Sequence, residues 1–275
     1  MKLVKGSTVL IPWSGGMDST YLVYKAIMSG CIVTTAYYKI ENNDLKVEAE
    51  LKARGEMMDY FRNLARENGT RYSDLGVVFS IDVGHEYTRN PVGQFTQTPL
   101  WVLASAYCAG RYDYVAMGFV QGDETISWQK EYNHLFDAYK RIQHDFVKPP
   151  KVKLIYPISR TKKDAIYYHL PDEIKRKTWT CECPTKIGES LYECGHCKTC
   201  NTHKANAGRV NYPVPDIREY DECIKQEDDL DTMLELRSSV NRKIRDLRKK
   251  SLVVLTVDER RDEVDCEEVE HDKVS

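Results

Sequence analysis

The chain has no apolar run approaching the roughly 18–20 residues that a membrane span needs. Its opening, MKLVKGSTVLIPWSGG, is too short and glycine-broken for a secretory leader, so a cytoplasmic protein without a membrane partner is expected. An excess of one charge is also missing. Forty Lys and Arg stand against 42 Asp and Glu, for a net charge of −2, which argues against a protein whose main business is coating nucleic acid. No Lys-Ser or Lys-Thr follows the glycines of Ser14-Gly15-Gly16, which excludes the loop by which nucleoside triphosphatases grip β/γ-phosphates, and no G-x-G-x-x-G marks a dinucleotide site. There is no internal repeat. What the sequence does hold is apolar content of 41% over 275 residues, enough to bury the core of one large domain or two modest ones.

Cysteine is plentiful and unevenly placed. Of nine, Cys181, Cys183, Cys194, Cys197 and Cys200 fall within twenty residues. In a reducing compartment a disulfide framework is not expected. Thiolates two residues apart can turn onto one metal, and Cys181 with Cys194, Cys197 and Cys200 makes the four ligands of a closed, structural zinc site. Cys183 and His196 are spare candidates. A redox pair would need neither the third regularly spaced cysteine nor the upstream fourth. Cys31, Cys108, Cys223 and Cys266 read as small core or surface residues.

Strand and helix patterns alternate through the first two thirds. Strands are expected at Ser7–Pro12, Cys31–Ile40, Val77–Val83, Asp113–Met117 and Val152–Tyr156, and helices at Ser19–Met28, about Leu45–Glu67, Thr98–Ala109 and Lys162–Leu170. Such alternation means an α/β fold, a Rossmann-like parallel sheet with helices on both faces and ligands bound at the carboxyl ends of strands. Residues 1–177 would form this domain, 178–210 a zinc-binding knuckle, and 211–275 a helical C-terminal extension. In that extension Met233, Leu236, Val240, Ile244 and Leu247 recur at helical spacing, opposite a basic face that includes Arg237, Arg242 and Lys243. The final Asp258–Ser275 is an acidic tail, nine acids against three bases.

Directly after the first strand stands Trp13-Ser14-Gly15-Gly16-Met17-Asp18-Ser19-Thr20. Backbone amides at a helix start form an anion site, glycines let a phosphate approach, and Ser14, Ser19 and Thr20 add hydroxyl donors. A serine/glycine turn that merely caps the helix is the plainer alternative. The run from Ser14 to Thr20 resembles the pyrophosphatase loop (PP-loop) of the adenine-nucleotide α-hydrolase-like enzymes. That resemblance implies a loop, Trp13 to Thr20, that holds the pyrophosphate end of ATP while the α-phosphate is attacked, with Asp18 near Mg²⁺ or the leaving pyrophosphate.

Pro157–Ile166 (PISRTKKDAI), with Lys163 six residues after Pro157, and Thr-Trp-x-Cys leading into Cys-Gly-x-Cys-x-x-Cys narrow the likeness. Together with the loop they resemble the 7-cyano-7-deazaguanine synthase (QueC) family over roughly residues 7–208. The resemblance implies a homodimeric ligase with one zinc per chain, using ATP and ammonia to convert a 7-carboxy-7-deazaguanine to a nitrile through an amide. By it Asp18 would be catalytic and Gly118 would join the ATP site. Lys163 is a catalytic candidate for neutralising the transferring phosphate, against one of several solvated lysines. Asp123, in the G-x-x-x-x-D spacing, or Glu124 is a candidate to take the N–H groups of the substrate, against an exposed turn. The chain departs from that family where Gln94-Phe95-Thr96 and Ile126-Ser127-Trp128-Gln129-Lys130 replace its usual motifs, so an amide end product, or an amine other than ammonia as in QueC-like proteins of antiviral defence systems, is the expectation. Two other classes compete: a tRNA-modifying enzyme of the PP-loop type, which would need reactive cysteines beside the nucleotide, and a nucleic-acid-binding module built on the zinc knuckle and the basic helix.

Overall fold

Alternate residues of the strands serve two different cores. In β1 (Thr8–Pro12) Val9 and Ile11 join one cluster and Leu10 the other, and β4 (Tyr114–Ala116) and β5 (Lys153–Ile155) divide their residues the same way. A strand buried on both faces reads as a continuous apolar run, the mark of a parallel sheet covered on each side. In the computed structural model, which describes residues 2–41, 43–82, 97–143, 151–195 and 197–209, these strands join β2 (Ile32–Glu41) and β3 (Tyr72–Asp82) in the order β3-β2-β1-β4-β5. Every neighbouring pair is parallel. The α/β, Rossmann-like reading of the sequence therefore holds.

One face is covered by α1 (Met17–Met28), α2 (Asp44–Glu67) and α5 (Lys163–His169), through residues such as Leu22, Met57, Phe61 and Ile166. The other is covered by α3 (Gln97–Cys108) and α4 (Gln129–Gln143), through Val102, Tyr132 and Phe136. Side chains such as Leu10, Ile11 and Leu22 are wholly buried, and each contributes about 1.5–3 kcal/mol relative to exposure. A short α6 (Asp172–Lys175) leads to the cysteine segment, which adds a hairpin, β6 (Thr185–Ile187) and β7 (Ser190–Tyr192), and α7 (Lys198–Arg209). All the described residues lie in one compact unit, Met1–Pro215, and none of their helices is long and apolar enough to cross a membrane. The expected amphipathic helix of 230–247, the acidic tail, Gln94-Phe95-Thr96, His196, Cys223 and Cys266 lie outside the described residues.

Helix α4 and the start of β3 differ from the sequence reading, which also gave no α6, β6, β7 or α7. Helix α4 was not expected, although Tyr132, Leu135, Phe136 and Tyr139 share one helical face against α3. Its apolar positions are aromatic and set among charges, which blurs the period. Strand β3 starts at Tyr72, five residues before the expected Val77. Its first turn of sequence, Tyr-Ser-Asp-Leu-Gly, looks like a loop, and Gly76 does adopt a positive φ of 70° beside a register shift. The polar start is used inside the fold. Asp74 Oδ1 accepts from Arg54 Nη2 at 2.6 Å and Thr35 Oγ1 at 2.6 Å, and its Oδ2 accepts from Gly76 N at 3.0 Å. Arg54 is 3% exposed and lies over the rings of Trp13 and Tyr37, at 5.1 and 4.9 Å.

Removing one partner of such a pair leaves an uncompensated buried charge. Asp74→Ala should therefore cost about 3–5 kcal/mol in urea unfolding, and the double variant Arg54→Leu/Asp74→Leu less than that. Equal losses in both would show that the stranded guanidinium is not the source.

Candidate functional site

The sheet order reverses direction at β1. From β1 the chain proceeds to β2 and β3 on one side, while β4 and β5 lie on the other. The loops leaving β1 and β4 therefore diverge, and a crevice opens at their carboxyl ends. Both sequence-flagged stretches, 13–20 and 118–123, fall there.

Trp13 carries the hydrogen bonding of β1 one residue further, its amide donating to Ala36 O at 2.8 Å, and its Nε1 donates to Thr20 Oγ1 at 2.9 Å across the turn. Gly15 has φ +83°, and a Cβ there would sit 3.1 Å from Glu50 O and 3.2 Å from Arg54 Cγ, so only glycine fits. Gly16 precedes α1 and offers no side-chain cap, so the first-turn amides, which have no partner within the helix, stay available at the wall formed by residues 16–19. Ser14 Oγ accepts from Gly16 N at 3.3 Å and lies 3.4 Å from Ser19 Oγ, which donates to Gly16 O at 3.2 Å. At Gly118 a Cβ would lie 3.1 Å from Ser19 Cα. The missing side chain lets the β4 loop meet the start of α1 backbone to backbone.

Lys163, at the start of α5, stands between two acids, its Nζ 3.2 Å from Asp18 Oδ2 and 3.8 Å from Asp123 Oδ1. Burial pushes the Asp18 carboxyl above its ordinary value, against the pull of Lys163. Burial alone would depress the Lys163 ammonium, but Asp18 and Asp123 together outweigh it and hold it above its usual value. Asp123 spends Oδ2 on the Val120 amide at 2.8 Å, so what it turns to the crevice is Oδ1, shared with the lysine.

These groups line a cavity of about 370 Å³. Of the sequence-flagged residues, Trp13, Ser14, Gly16, Met17, Asp18, Ser19, Gly118, Asp123, Lys163 and Cys181 are in its wall. Gly15 and Thr20 stand behind it, one against α2 and the other bonded to Trp13. The sequence reading missed a second set: Tyr37, Lys46, Glu50, Glu182 and His203 also line the cavity. Glu50 Oε2 accepts the Tyr37 hydroxyl at 2.6 Å, Lys46 pairs with Glu182, and His203 Nδ1 meets the Tyr167 hydroxyl. Burial raises the Glu50 carboxyl against Lys46 and the Tyr37 hydroxyl. The available signal was the spacing of Lys46 and Glu50, one helical turn apart on α2.

The four sulfurs of Cys181, Cys194, Cys197 and Cys200 lie within 4.8 Å of one another, with Cys194 and Cys200 at 4.0 Å. A tetrahedral zinc with bonds of about 2.3 Å sets sulfur–sulfur separations of about 3.8 Å, so the set fits a tetrahedral ion with little movement. Donors are already aimed at the sulfurs. The amides of Cys194, Cys197 and Cys200 point at Cys181, Cys194 and Cys197 at 3.2, 3.3 and 3.4 Å, and Thr199 Oγ1 lies 3.0 Å from Cys197 Sγ. Burial would raise the Cys197 thiol, but the Thr199 and backbone contacts bring it down to about 6, whereas burial pushes Cys181 up to about 12 and raises Cys200 as well. The four cysteines could hold a metal ion, and Cys183 is exposed outside the set. This centre abuts the crevice. Cys181 and Thr199 line it, Trp179 Nε1 donates to Cys181 O at 3.0 Å, and Trp179 N donates to Gly15 O at 3.0 Å.

No family model matches the chain, and no curated protein matches it. Among solved structures it is similar to an NMN synthetase from Francisella tularensis, at 17% identity and a TM-score of 0.27 over 62% of this chain. The chain spans 61% of that structure's length.

Two outcomes are expected. Purified protein should hold about one metal ion per chain, with Cys197→Ser losing it; metal-free, well-folded protein by elemental analysis would contradict the fit. Removing the ion with a chelator should also speed amide hydrogen exchange at residues 14–16, because Trp179 is the link between the cysteines and Gly15. Unchanged exchange there would show that the two parts are independent.

Proposed function

We propose that the protein is an ATP-dependent carbon–nitrogen ligase that activates a carboxylate as its adenylate. The observation that carries this reading is the placement of Lys163 between Asp18 and Asp123, at the diverging carboxyl ends of β1 and β4 and beside the uncapped start of α1. A fixed ammonium and helix-start amides in a partly enclosed crevice suit a step in which charge moves across a phosphate. The likeness of Ser14–Thr20 to a pyrophosphatase loop agrees with it.

In this reading the pyrophosphate end of ATP rests on the amides of residues 17–19 with the Ser14 and Ser19 hydroxyls. A substrate carboxylate oxygen attacks the α-phosphorus, the bond to the bridging oxygen breaks, and pyrophosphate leaves. Lys163 offsets the charge on the α-phosphate oxygens. Mg²⁺, held through Asp18, would screen the leaving pyrophosphate. An amine nitrogen then attacks the acyl carbon, a proton is lost, and AMP departs to leave an amide. A zinc held by Cys181, Cys194, Cys197 and Cys200 would be structural, since four thiolates would satisfy it; it would hold the segment that carries Trp179 to Gly15.

The substrate class we infer is a planar heterocyclic acid of the 7-carboxy-7-deazaguanine type, with ammonia or another amine as acceptor. Aromatic residues Tyr37, Tyr38, Trp101 and Phe119 in the cavity wall suit a flat ring. The tRNA-thiolation alternative gains nothing from the scattered thiols. Cys31 is bonded to Val4 O at 3.4 Å, and neither it nor Cys108 is in the cavity wall.

Phosphorus NMR of spent nucleotide should show AMP and pyrophosphate. Lys163→Met should slow their formation about 100-fold or more, as loss of a group aimed at transition-state charge does. ADP and inorganic phosphate as first products, or full activity in Lys163→Met, would overturn adenylation at this site.

A further inference from the structure

Four carboxylates stand among the described residues of the cavity wall: Asp18, Asp123, Glu182 and Glu50. Three are matched to cations. Asp18 and Asp123 share Lys163, and Glu182 pairs with Lys46. Glu50 differs. Its close partner is the Tyr37 hydroxyl at 2.6 Å on Oε2, and among the described residues it forms no ion pair within 4 Å. A phenol orients a carboxylate without cancelling its charge. Lys46, one turn before it on α2, is in contact with Glu182 instead. Two acids thus face one ammonium at this end of the cavity, and the carboxylate that Lys46 does not touch has its rotamer fixed by Tyr37.

Such a group has one chemical use toward a ligand. An ionised carboxylate only accepts hydrogen bonds, and its two oxygens match two parallel N–H donors on one edge of a planar group. Resting on the heterocyclic-acid reading above, we propose that Glu50 is the specificity-determining residue of the cavity, accepting two adjacent N–H groups of the substrate ring, the amidine-like pair of a 2-amino-oxopyrimidine. Oε1 takes one donor, and Oε2, which keeps a second lone pair beside Tyr37, takes the other. Tyr37, Tyr38 and Phe119 supply the flat apolar walls on which such a ring packs. The same carboxylate rejects an adenine edge, where a ring-nitrogen lone pair next to the amino group would face an oxygen lone pair and leave both unsatisfied. Glu50 therefore also keeps the base of the nucleotide out of the acid's place.

The test uses the full-length protein and two neutral probes that carry no carboxylate to activate: 7-deazaguanine and its counterpart lacking the exocyclic amine. Calorimetric titration of the wild type should show 7-deazaguanine binding tighter than the counterpart by about 10-fold or more. Glu50→Gln, which keeps the shape of the side chain, should abolish that preference with metal content and melting temperature unchanged. Tyr37→Phe should keep most of it, since the charge remains. In acid-dependent ATP–pyrophosphate exchange, Glu50→Gln should raise the KM for 7-carboxy-7-deazaguanine about 10-fold or more while leaving the KM for ATP alone. A preference that survives Glu50→Gln, or a wild type that binds both probes equally or neither, overturns the assignment. Glu50-dependent binding without any pyrophosphate exchange would uphold Glu50 and sink the ligase reading; exchange that ignores Glu50 would do the reverse.

Discussion

The crevice rests on one buried guanidinium. Arg54 comes from α2, yet its contacts gather three other elements: Trp13 after β1, Tyr37 in β2 and Asp74 in β3. A charge so deeply buried is tolerable only with a partner of good geometry whose own lone pairs are filled. That requirement explains the surrounding choices. Asp74 is completed by Thr35 and Gly76, Thr35 also meets the Tyr72 hydroxyl at 3.0 Å, and Gly15 has no side chain because Arg54 and the Glu50 carbonyl fill that space. Cation–ring contacts with Trp13 and Tyr37 recover part of the cost of desolvation. The loop that opens the cavity is thus shaped from beneath, before any ligand reaches it.

Above that floor the electrostatics repeat one arrangement at two places. Lys163 lies between Asp18 and Asp123, and Lys46 responds to both Glu50 and Glu182. In each case burial works against the ammonium and two acids overcome it. Both lysines therefore keep a proton throughout the neutral range.

The sheet was legible because continuous apolar runs and their spacing follow directly from burial on two faces. Ser7–Pro12 and Cys31–Ile40 match β1 and β2 to within a residue. The glycine loop and the four cysteines were legible because local chemistry limits what such residues can do at such spacing, and the structure brings the sulfurs together. Glu50, Lys46 and Tyr37 were hidden for the opposite reason. On a long amphipathic helix one more Glu and Lys look like a solvated face, and only the folding of α2 across the end of β2 turns them inward. The early start of β3 was hidden because its polar residues serve Arg54, which lies about twenty positions earlier in the chain, a pairing no local pattern announces. Asp123 lies in the cavity wall, while the Val120 amide and Lys163 that occupy its oxygens belong to tertiary structure.

The cysteine segment and the glycine loop meet through main-chain atoms: the Trp179 amide on the Gly15 carbonyl at 3.0 Å, and the Trp179 carbonyl 3.4 Å from where a Gly16 Cβ would stand. A joint between backbones is indifferent to which side chains flank it, provided the two glycines stay. Thr178, Thr180 and Glu182 can therefore change over generations without unfastening the loop, and that wall of the crevice can be rewritten while the glycine loop is inherited intact. Drift in one half of such a crevice, with constancy in the other, is the pattern of descent this joint permits.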